Sequence, residues 1–138
     1  MGAPFSFPLR VRFGECDPQG IVFNANYLGY FDHAFTELWR EAFGSYTRMV
    51  EQGIDIVVAE ASLTFAGPAR FDDLVAIELE IERLGTTSMT SRLELVRDGE
   101  ALVECRMRHV FVDAEGWTKT EIPAWLREGL TPYLAPDA

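Results

Sequence analysis

One short segment of the chain places a carboxylate just before a predicted helix. Residues 13–27 read FGECDPQGIVFNANY, and Asp17 lies in their Gly- and Pro-containing stretch, which is typical of a loop. The first N–H groups of a helix lack partners within it and favour negative charge. Gly20 gives the backbone the freedom to expose such donors. The candidate donors are the N–H groups of Phe23, Asn24 and Ala25.

This arrangement predicts acyl chemistry. A carbonyl group bound at the helix start would have its developing oxyanion stabilised by those N–H groups. The Asp17 carboxylate would then attack the carbonyl carbon or deprotonate an attacking water. Spacing along the chain does not distinguish these two roles.

The same residues also have simpler interpretations. An Asp before a Pro commonly initiates a turn, which would account for Asp17 without catalysis. Asn24 and Asn26 can each serve as a helix cap. Cys16 has no histidine nearby in sequence to activate its thiol, which favours a small buried residue over a nucleophile.

The composition excludes several other chemistries. Two cysteines, Cys16 and Cys105, cannot build a disulfide framework, and there is no Cys-x-x-Cys pair. The two histidines, His33 and His109, lie too far apart in sequence for a His-x-x-x-His metal pair. Gly-x-Ser-x-Gly and Gly-x-Gly-x-x-Gly motifs are also absent. We therefore expect no metal site and a chemistry based on a carboxylate and backbone groups.

The net charge and composition of the chain restrict its possible partners and its location. Twelve Lys and Arg residues against twenty-two Asp and Glu residues give a formal charge of -10, which argues against nucleic acid and against a basic membrane-surface helix. No apolar run reaches the roughly 20 residues of a membrane span, and no signal peptide is indicated. With only two cysteines, the predicted location is the reducing cytoplasm.

The elements that must position Asp17 follow from hydrophobic spacing. Apolar residues recur every three or four positions from Tyr27 to Phe43, which predicts one long helix ended by Gly44. A shorter helix is predicted over 45–52, and Pro123 opens a terminal helix through Leu130. Strands are predicted over 5–13, 56–65, 75–82, 89–95 and about 101–112.

These elements predict an α+β fold in a single domain over 1–138. Short turns between successive strands favour an antiparallel sheet of about five strands, wrapped around the long central helix. Pro4 and Pro8 restrict the first strand to a sheet edge or its own start. An exposed edge strand of such a sheet is expected to pair with a second subunit.

The motif around Asp17 resembles that of hotdog-fold acyl-CoA thioesterases, specifically the 4-hydroxybenzoyl-CoA thioesterase-like group. The resemblance extends over most of the chain, including Glu121-Ile122-Pro123 before the last helix. The matching motif positions are Phe13, Glu15, Asp17, Gly20, Ile21-Val22, Phe23 and Asn26-Tyr27.

The resemblance implies a hydrolase that converts acyl-CoA and water to a carboxylic acid and CoA. It makes Asp17 the nucleophile or general base and the N–H at Asn24 the group that polarises the thioester carbonyl. It implies coenzyme A as part of the substrate, with no further cofactor. It also implies a homodimer or homotetramer with active sites at subunit interfaces. The implied oxyanion and substrate-binding residues are Gly20, Phe23, Asn24, Tyr27 and Asp32.

Two departures from the family pattern bear on the substrate. Asn24 stands where relatives often carry Tyr or His. Residues 84–87, Leu-Gly-Thr-Thr, replace a basic cluster that would hold the phosphates of coenzyme A. The arginines available to substitute are Arg70, Arg92, Arg106 and Arg108. The second departure motivates an alternative function as a non-catalytic acyl-thioester binding protein or an acyl-carrier-protein thioesterase.

Three further side chains have open roles. Asp32 lies off the main apolar stripe of the helix, so it belongs either to a solvated face or to the acyl pocket. His109 alternates with buried strand positions, which favours a hydrogen-bonded core histidine. Glu37 suits a surface charge cluster, although a helical carboxylate performs the catalysis in other hotdog branches.

Overall fold

The computed structural model describes residues 3–137, so residues 1, 2 and 138 of the predicted domain lie outside the described residues. The helices are α1 Asn26–Phe43, α2 Tyr46–Glu51 and α3 Ala124–Leu130. The strands are β1 Phe5–Arg10, β2 Ile54–Phe65, β3 Leu74–Leu84, β4 Ser88–Arg97 and β5 Glu100–Asp113.

The five strands form one antiparallel sheet in the order β1-β3-β4-β5-β2. The predicted α+β class, strand number and wrapped helix are therefore confirmed. Helix α1 lies on the sheet and buries its apolar stripe there, so Phe31, Leu38 and Trp39 are fully buried. It packs against alternate residues of the strands, which β-pleating places on one face. These include Ile77, Leu79, Leu93, Leu95 and Phe111.

Local residues set the ends of two helices and one hairpin turn, and the predicted end of the long helix at Gly44 is confirmed. Gly44 ends α1 with φ of 89°, and its N–H donates to the Arg40 carbonyl. Ser45 caps α2, its side chain accepting the Arg48 N–H at 3.1 Å. Asp98 and Gly99 form the β4–β5 turn with φ of 51° and 80°, as expected for an Asp-Gly hairpin.

Two predictions near the site were wrong. The first strand ends at Arg10 rather than Phe13, because Phe13–Glu15 form a short 3₁₀ turn. No side chain caps α1: the N-cap residue is Ala25. The Asn26 side chain donates instead to the Glu15 carbonyl, at 2.8 Å.

The two sheet edges differ in character. Pro8 lies in β1, an edge strand as predicted. The other edge, β2, is twelve residues long, and Val58 and Phe65 are about half exposed on it. A register shift between Val58 and Glu60 interrupts its pairing with β5. Strand β2 is thus a long edge with exposed apolar side chains.

Candidate active site

Asp17 lies in a tight turn that its own side chain helps to form. The Gln19 N–H donates to Asp17 Oδ1 at 2.8 Å, and the Gly20 N–H donates to the Asp17 carbonyl at 2.9 Å. Gly20 has φ of 80°, a conformation that glycine adopts without strain. The second carboxylate oxygen accepts no hydrogen bond from the described residues. Asp17 therefore has the turn role considered above and keeps one oxygen free for chemistry.

The turn is held to the connection between β2 and β3. The Val22 N–H donates to the Ala69 carbonyl at 2.9 Å, and the Phe71 N–H donates to the Gly20 carbonyl at 3.1 Å. The hydroxyl of Tyr27, from the first turn of α1, accepts the Ala69 N–H at 3.0 Å. Burial raises the pKa of Tyr27, so its phenol stays protonated and retains a hydrogen to donate.

The start of α1 presents two backbone donors. Within residues 3–137, the N–H groups of Asn24 and Ala25 have no hydrogen-bond partner. Phe23 was also a candidate donor, and for Phe23 the prediction was wrong: its N–H donates to the Glu15 carbonyl at 3.0 Å. The candidate oxyanion donors that the fold leaves without a partner are therefore the N–H groups of Asn24 and Ala25.

A cavity of about 360 Å³ opens beside these donors. Asn24, Tyr27 and Phe65 line it, and the apolar side chains of Ile21 and Val22 form another part of its wall. Asp17 adjoins it through the hydrogen bond of its N–H to the Ile21 carbonyl, at 2.9 Å. The structure thus brings Asn24 and Tyr27 together, with Gly20 and Asp17 in the adjacent turn. Phe23 is half exposed and lies outside the cavity wall.

Asp32 lines a different cavity. This second cavity of about 290 Å³ lies farther along α1, and Phe35, Tyr46 and His109 also line it. His109 is 2% exposed and packs on the Phe35 ring with a centroid distance of 4.4 Å. Its Nδ1 has no hydrogen-bond partner among the described residues. The predicted core position of His109 is therefore confirmed, but the predicted hydrogen bond is not found at this atom. Burial lowers the pKa of His109 to about 4.

The competing nucleophile candidates are placed less favourably than Asp17. Glu37 lies on the exposed side of α1, 3.2 Å from the Arg40 guanidinium and 3.5 Å from His33 Nε2. Burial and the neighbouring carboxylates of Asp17 and Glu15 raise the pKa of the Cys16 thiol. A raised pKa reduces the thiolate fraction, so Cys16 is not an activated nucleophile.

The four arginines suggested for phosphate binding divide into two groups. Arg92 pairs with Glu104 at 2.7 Å, and Arg106 pairs with Glu82 at 2.7 Å. Arg70 and Arg108 form no ion pair with the described residues. Arg70 also adjoins the Asp17 turn through a backbone bridge to Ile21. Arg70 is therefore the cation of this set that is positioned beside the site.

Glu15 has a structural role that the sequence did not reveal. It is a motif residue to which no function was assigned, yet its carboxylate bonds to both Arg12 and Tyr30. The spacing of Arg12 and Glu15 is a sequence signal for a local ion pair. The contact with Tyr30 depends on the fold and gives no such signal.

The described residues offer neither a metal-binding cluster nor a membrane-spanning helix. Among the described residues, no group of three or more His, Cys, Asp or Glu side chains is arranged to hold a metal ion. Across residues 3–137, no helix has the length and apolar character needed to cross a membrane.

Comparison with known proteins identifies the family. A family model described as the thioesterase superfamily matches residues 19–104, more than half of the chain. The chain belongs to the thioesterase superfamily. The matched segment contains Gly20, Phe23, Asn24, Tyr27 and Asp32, and it begins just after Asp17. The predicted family and the predicted class of thioester hydrolase are confirmed.

Individual relatives of this thioesterase support the same family assignment. The acyl-CoA thioester hydrolase YbgC of Escherichia coli is 31% identical over 108 residues, covering 73% of this chain and 81% of YbgC. A hypothetical protein from Aquifex aeolicus has a solved structure that matches with a TM-score of 0.87 at 29% identity, covering 92% of this chain and 99% of that one. A gentisyl-coenzyme A thioesterase matches with a TM-score of 0.82 at 25% identity, covering 89% and 99%. The hotdog fold is thereby confirmed.

Proposed function

We propose that this thioesterase hydrolyses acyl-CoA thioesters at the site formed by the Asp17 turn and the start of α1. The observation that carries the proposal is that the Asn24 and Ala25 N–H groups have no partner among the described residues and lie at a cavity lined by Asn24 and by Ile21. The Ile21 carbonyl accepts the Asp17 N–H, and the Asp17 carboxylate keeps one oxygen without a hydrogen bond from those residues. The adjoining cavity has a largely apolar wall that suits an acyl group. The names of YbgC and of the gentisyl-coenzyme A thioesterase support the substrate class.

The proposed reaction breaks the bond between the carbonyl carbon and sulfur. The thioester oxygen accepts hydrogen bonds from the Asn24 and Ala25 N–H groups as negative charge develops on it. Asp17 either attacks the carbonyl carbon, giving an anhydride that water then hydrolyses, or removes a proton from the attacking water. The coenzyme A thiolate leaves and is protonated, and the acyl group leaves as a carboxylic acid. Coenzyme A is thus part of the substrate, and the scheme uses no further cofactor.

Replacing Asp17 by Asn separates its structural role from its chemical one. The amide oxygen of Asn can still accept the Gln19 N–H and so preserve the turn. A neutral amide neither attacks usefully nor accepts a proton. We expect Asp17→Asn to lower kcat for acyl-CoA hydrolysis by at least about 100-fold with little change in melting temperature.

The matched control is Asp98→Asn, the same change in the β4–β5 turn, where Asn also tolerates a positive φ. Its rate should equal that of the wild type across short aliphatic, long aliphatic and aromatic acyl-CoA substrates. Unchanged hydrolysis by Asp17→Asn would show that Asp17 is only a turn residue. Binding of acyl-CoA by the wild type without turnover, measured by calorimetry, would favour the alternative of a binding protein.

The ion pairs of the arginines favour a second candidate function, hydrolysis of acyl-carrier-protein thioesters. Arg92 and Arg106 are already engaged with carboxylates, which leaves Arg70 as the nearby cation for the phosphates of coenzyme A. Turnover confined to carrier-protein thioesters would support the second candidate. If acyl-CoA is the substrate, Arg70→Ala should raise KM with little change in kcat.

The assembly and location proposed with this function are a homodimer or homotetramer in the cytoplasm. The long exposed edge of β2 supports pairing with a second copy, because an edge strand offers a row of free N–H and C=O groups. The cavity beside Asn24 is bounded by Phe65 at the end of β2, so a partner on this edge would adjoin the site.

A further inference from the structure

Two residues before Asp17, the carboxylate of Glu15 is the centre of a hydrogen-bond network. Its Oε1 accepts the Arg12 backbone N–H and the Tyr30 hydroxyl, both at 2.8 Å. Its Oε2 accepts the Arg12 guanidinium through Nη2 at 2.7 Å and Nε at 3.1 Å. The Glu15 side chain is only 16% exposed. Two oxygens with four donors are held in one orientation, which limits the motion of the Glu15 backbone.

The charges of this network are fixed at neutral pH. Burial acts to raise the pKa of Glu15, but the hydrogen bonds from Arg12 and Tyr30 outweigh it, and the net effect lowers that pKa. Burial and the bond to Glu15 raise the pKa of Tyr30, so its hydroxyl stays protonated and donates. Glu15 is therefore a permanent anion held in place by its donors.

The main chain of Glu15 connects the two halves of the site. Its carbonyl accepts the Phe23 N–H at 3.0 Å and the Asn26 side-chain amide at 2.8 Å. Next to it, Cys16 forms an antiparallel bridge with Val22. Glu15 thus closes the base of the loop that contains Asp17 and holds the backbone just before the free N–H groups of the helix start.

We propose that Glu15 is a positioning residue that fixes the separation between the Asp17 carboxylate and the N–H groups of Asn24 and Ala25. The proposal rests on the proposed function of Asp17. Glu15 acts through the loop rather than on a reacting atom. Because a misplacement of about 1 Å in a catalytic group can cost roughly 100-fold in rate, loosening this anchor should affect kcat more than KM.

A double-mutant cycle tests the proposal. Glu15→Gln keeps the shape of the side chain but loses the ion pair and one acceptor of the Arg12 guanidinium. We expect it to lower kcat about 10-fold with KM changed less than about 3-fold. In the Asp17→Asn background the same change should alter the residual rate less than about 2-fold, because there is no carboxylate left to position. Tyr30→Phe, which removes one of four donors, should give a smaller loss.

The matched control is Glu82→Gln, which breaks the bidentate pair of Glu82 with Arg106 on the sheet. It should leave kcat unchanged in both backgrounds. An equal loss from Glu15→Gln in both backgrounds would mean that Glu15 supports folding in general, and that result would overturn the proposal.

Amide hydrogen exchange gives a second measurement that needs no substrate. Glu15→Gln should increase exchange in peptides that cover residues 16–25 while leaving those from β3 and β4 unchanged. Unchanged exchange in residues 16–25 would contradict the proposed anchoring. If the wild type fails to hydrolyse acyl-CoA, the proposed function is wrong, and this measurement still decides whether Glu15 holds the loop.

Discussion

The proposed site around Asp17 uses individual backbone groups rather than further side chains. The described residues supply no partner for the N–H groups of Asn24 and Ala25, whereas the Phe23 N–H immediately before them is satisfied by Glu15. A free donor at a helix start is aligned with the positive end of the helix dipole. The position of these donors depends on the backbone, so we expect the identity of the residue 24 side chain to affect activity less than the presence of its N–H.

Removing the N–H of Asn24 tests whether it binds the oxyanion. Asn24→Pro deletes the donor at a position ahead of α1, where Pro is tolerated. The Asn24 N–H has no partner among the described residues, so none of their hydrogen bonds is lost. We expect kcat to fall roughly 100-fold, the usual cost of one oxyanion donor. Asn24→Ala keeps the N–H and should retain most of the activity. Equal activity of the two variants would show that this N–H does not bind the oxyanion.

The buried imidazole of His109 makes the stability of the fold depend on pH. Because the pKa of His109 is about 4 in the folded chain, below the unfolded value of 6.5, folding opposes its protonation. Its contribution to stability is complete above pH 6.5 and is lost as the pH falls toward 4, by at most about 3 kcal/mol. His109→Phe also removes a buried nitrogen that lacks a hydrogen bond, so it should flatten the pH dependence of the unfolding free energy. A pH slope in His109→Phe equal to that of the wild type would contradict this prediction.

At the scale of elements, the long helix and the strands were predictable because their patterns are local. The apolar spacing of α1 and the alternation in β3 each follow from one continuous stretch of sequence. The site loop was less predictable because long-range contacts shape it. Tyr27 accepts an N–H from Ala69, which is 42 residues away, and the Phe23 N–H is occupied by Glu15. No periodicity in the sequence signals such pairs, although the motif did locate the segment.

Two helical glycines differ in the space around them. In α3, a Cβ added to Gly129 would overlap the ring of Phe43, at the end of α1. In α1, a Cβ added to Gly29 meets no atom within 4 Å. Gly29→Ala should raise the free energy of unfolding by about 0.5–1 kcal/mol through helix propensity. Gly129→Ala should lower it by about 1–3 kcal/mol through overpacking. Chemical denaturation measures both, and a gain at Gly129 would mean that α3 shifts freely on α1.

At the scale of the whole molecule, the charge of -10 opposes both of the proposed encounters. Coenzyme A is a polyanion, and a second copy of the chain carries the same charge. Within β2, however, only Asp55 and Glu60 are charged, while Val58 and Phe65 are exposed. The edge is thus a weakly charged strip on a strongly acidic molecule. Since salt screens repulsion between exposed charges, self-association through β2 should strengthen as ionic strength rises.

The last prediction follows from that strip. Val58→Asp adds a charge to the exposed edge of β2 and should shift the mass measured by light scattering from a multiple of 15.6 kDa to 15.6 kDa. Activity should fall with the mass if a second copy completes the site, because Phe65 on the same edge bounds the cavity beside Asn24. Leu74→Asp, a comparable exposed aliphatic position at the start of β3, should keep the wild-type mass. A wild type that is fully active as a monomer at all salt concentrations would show that one chain holds the whole site.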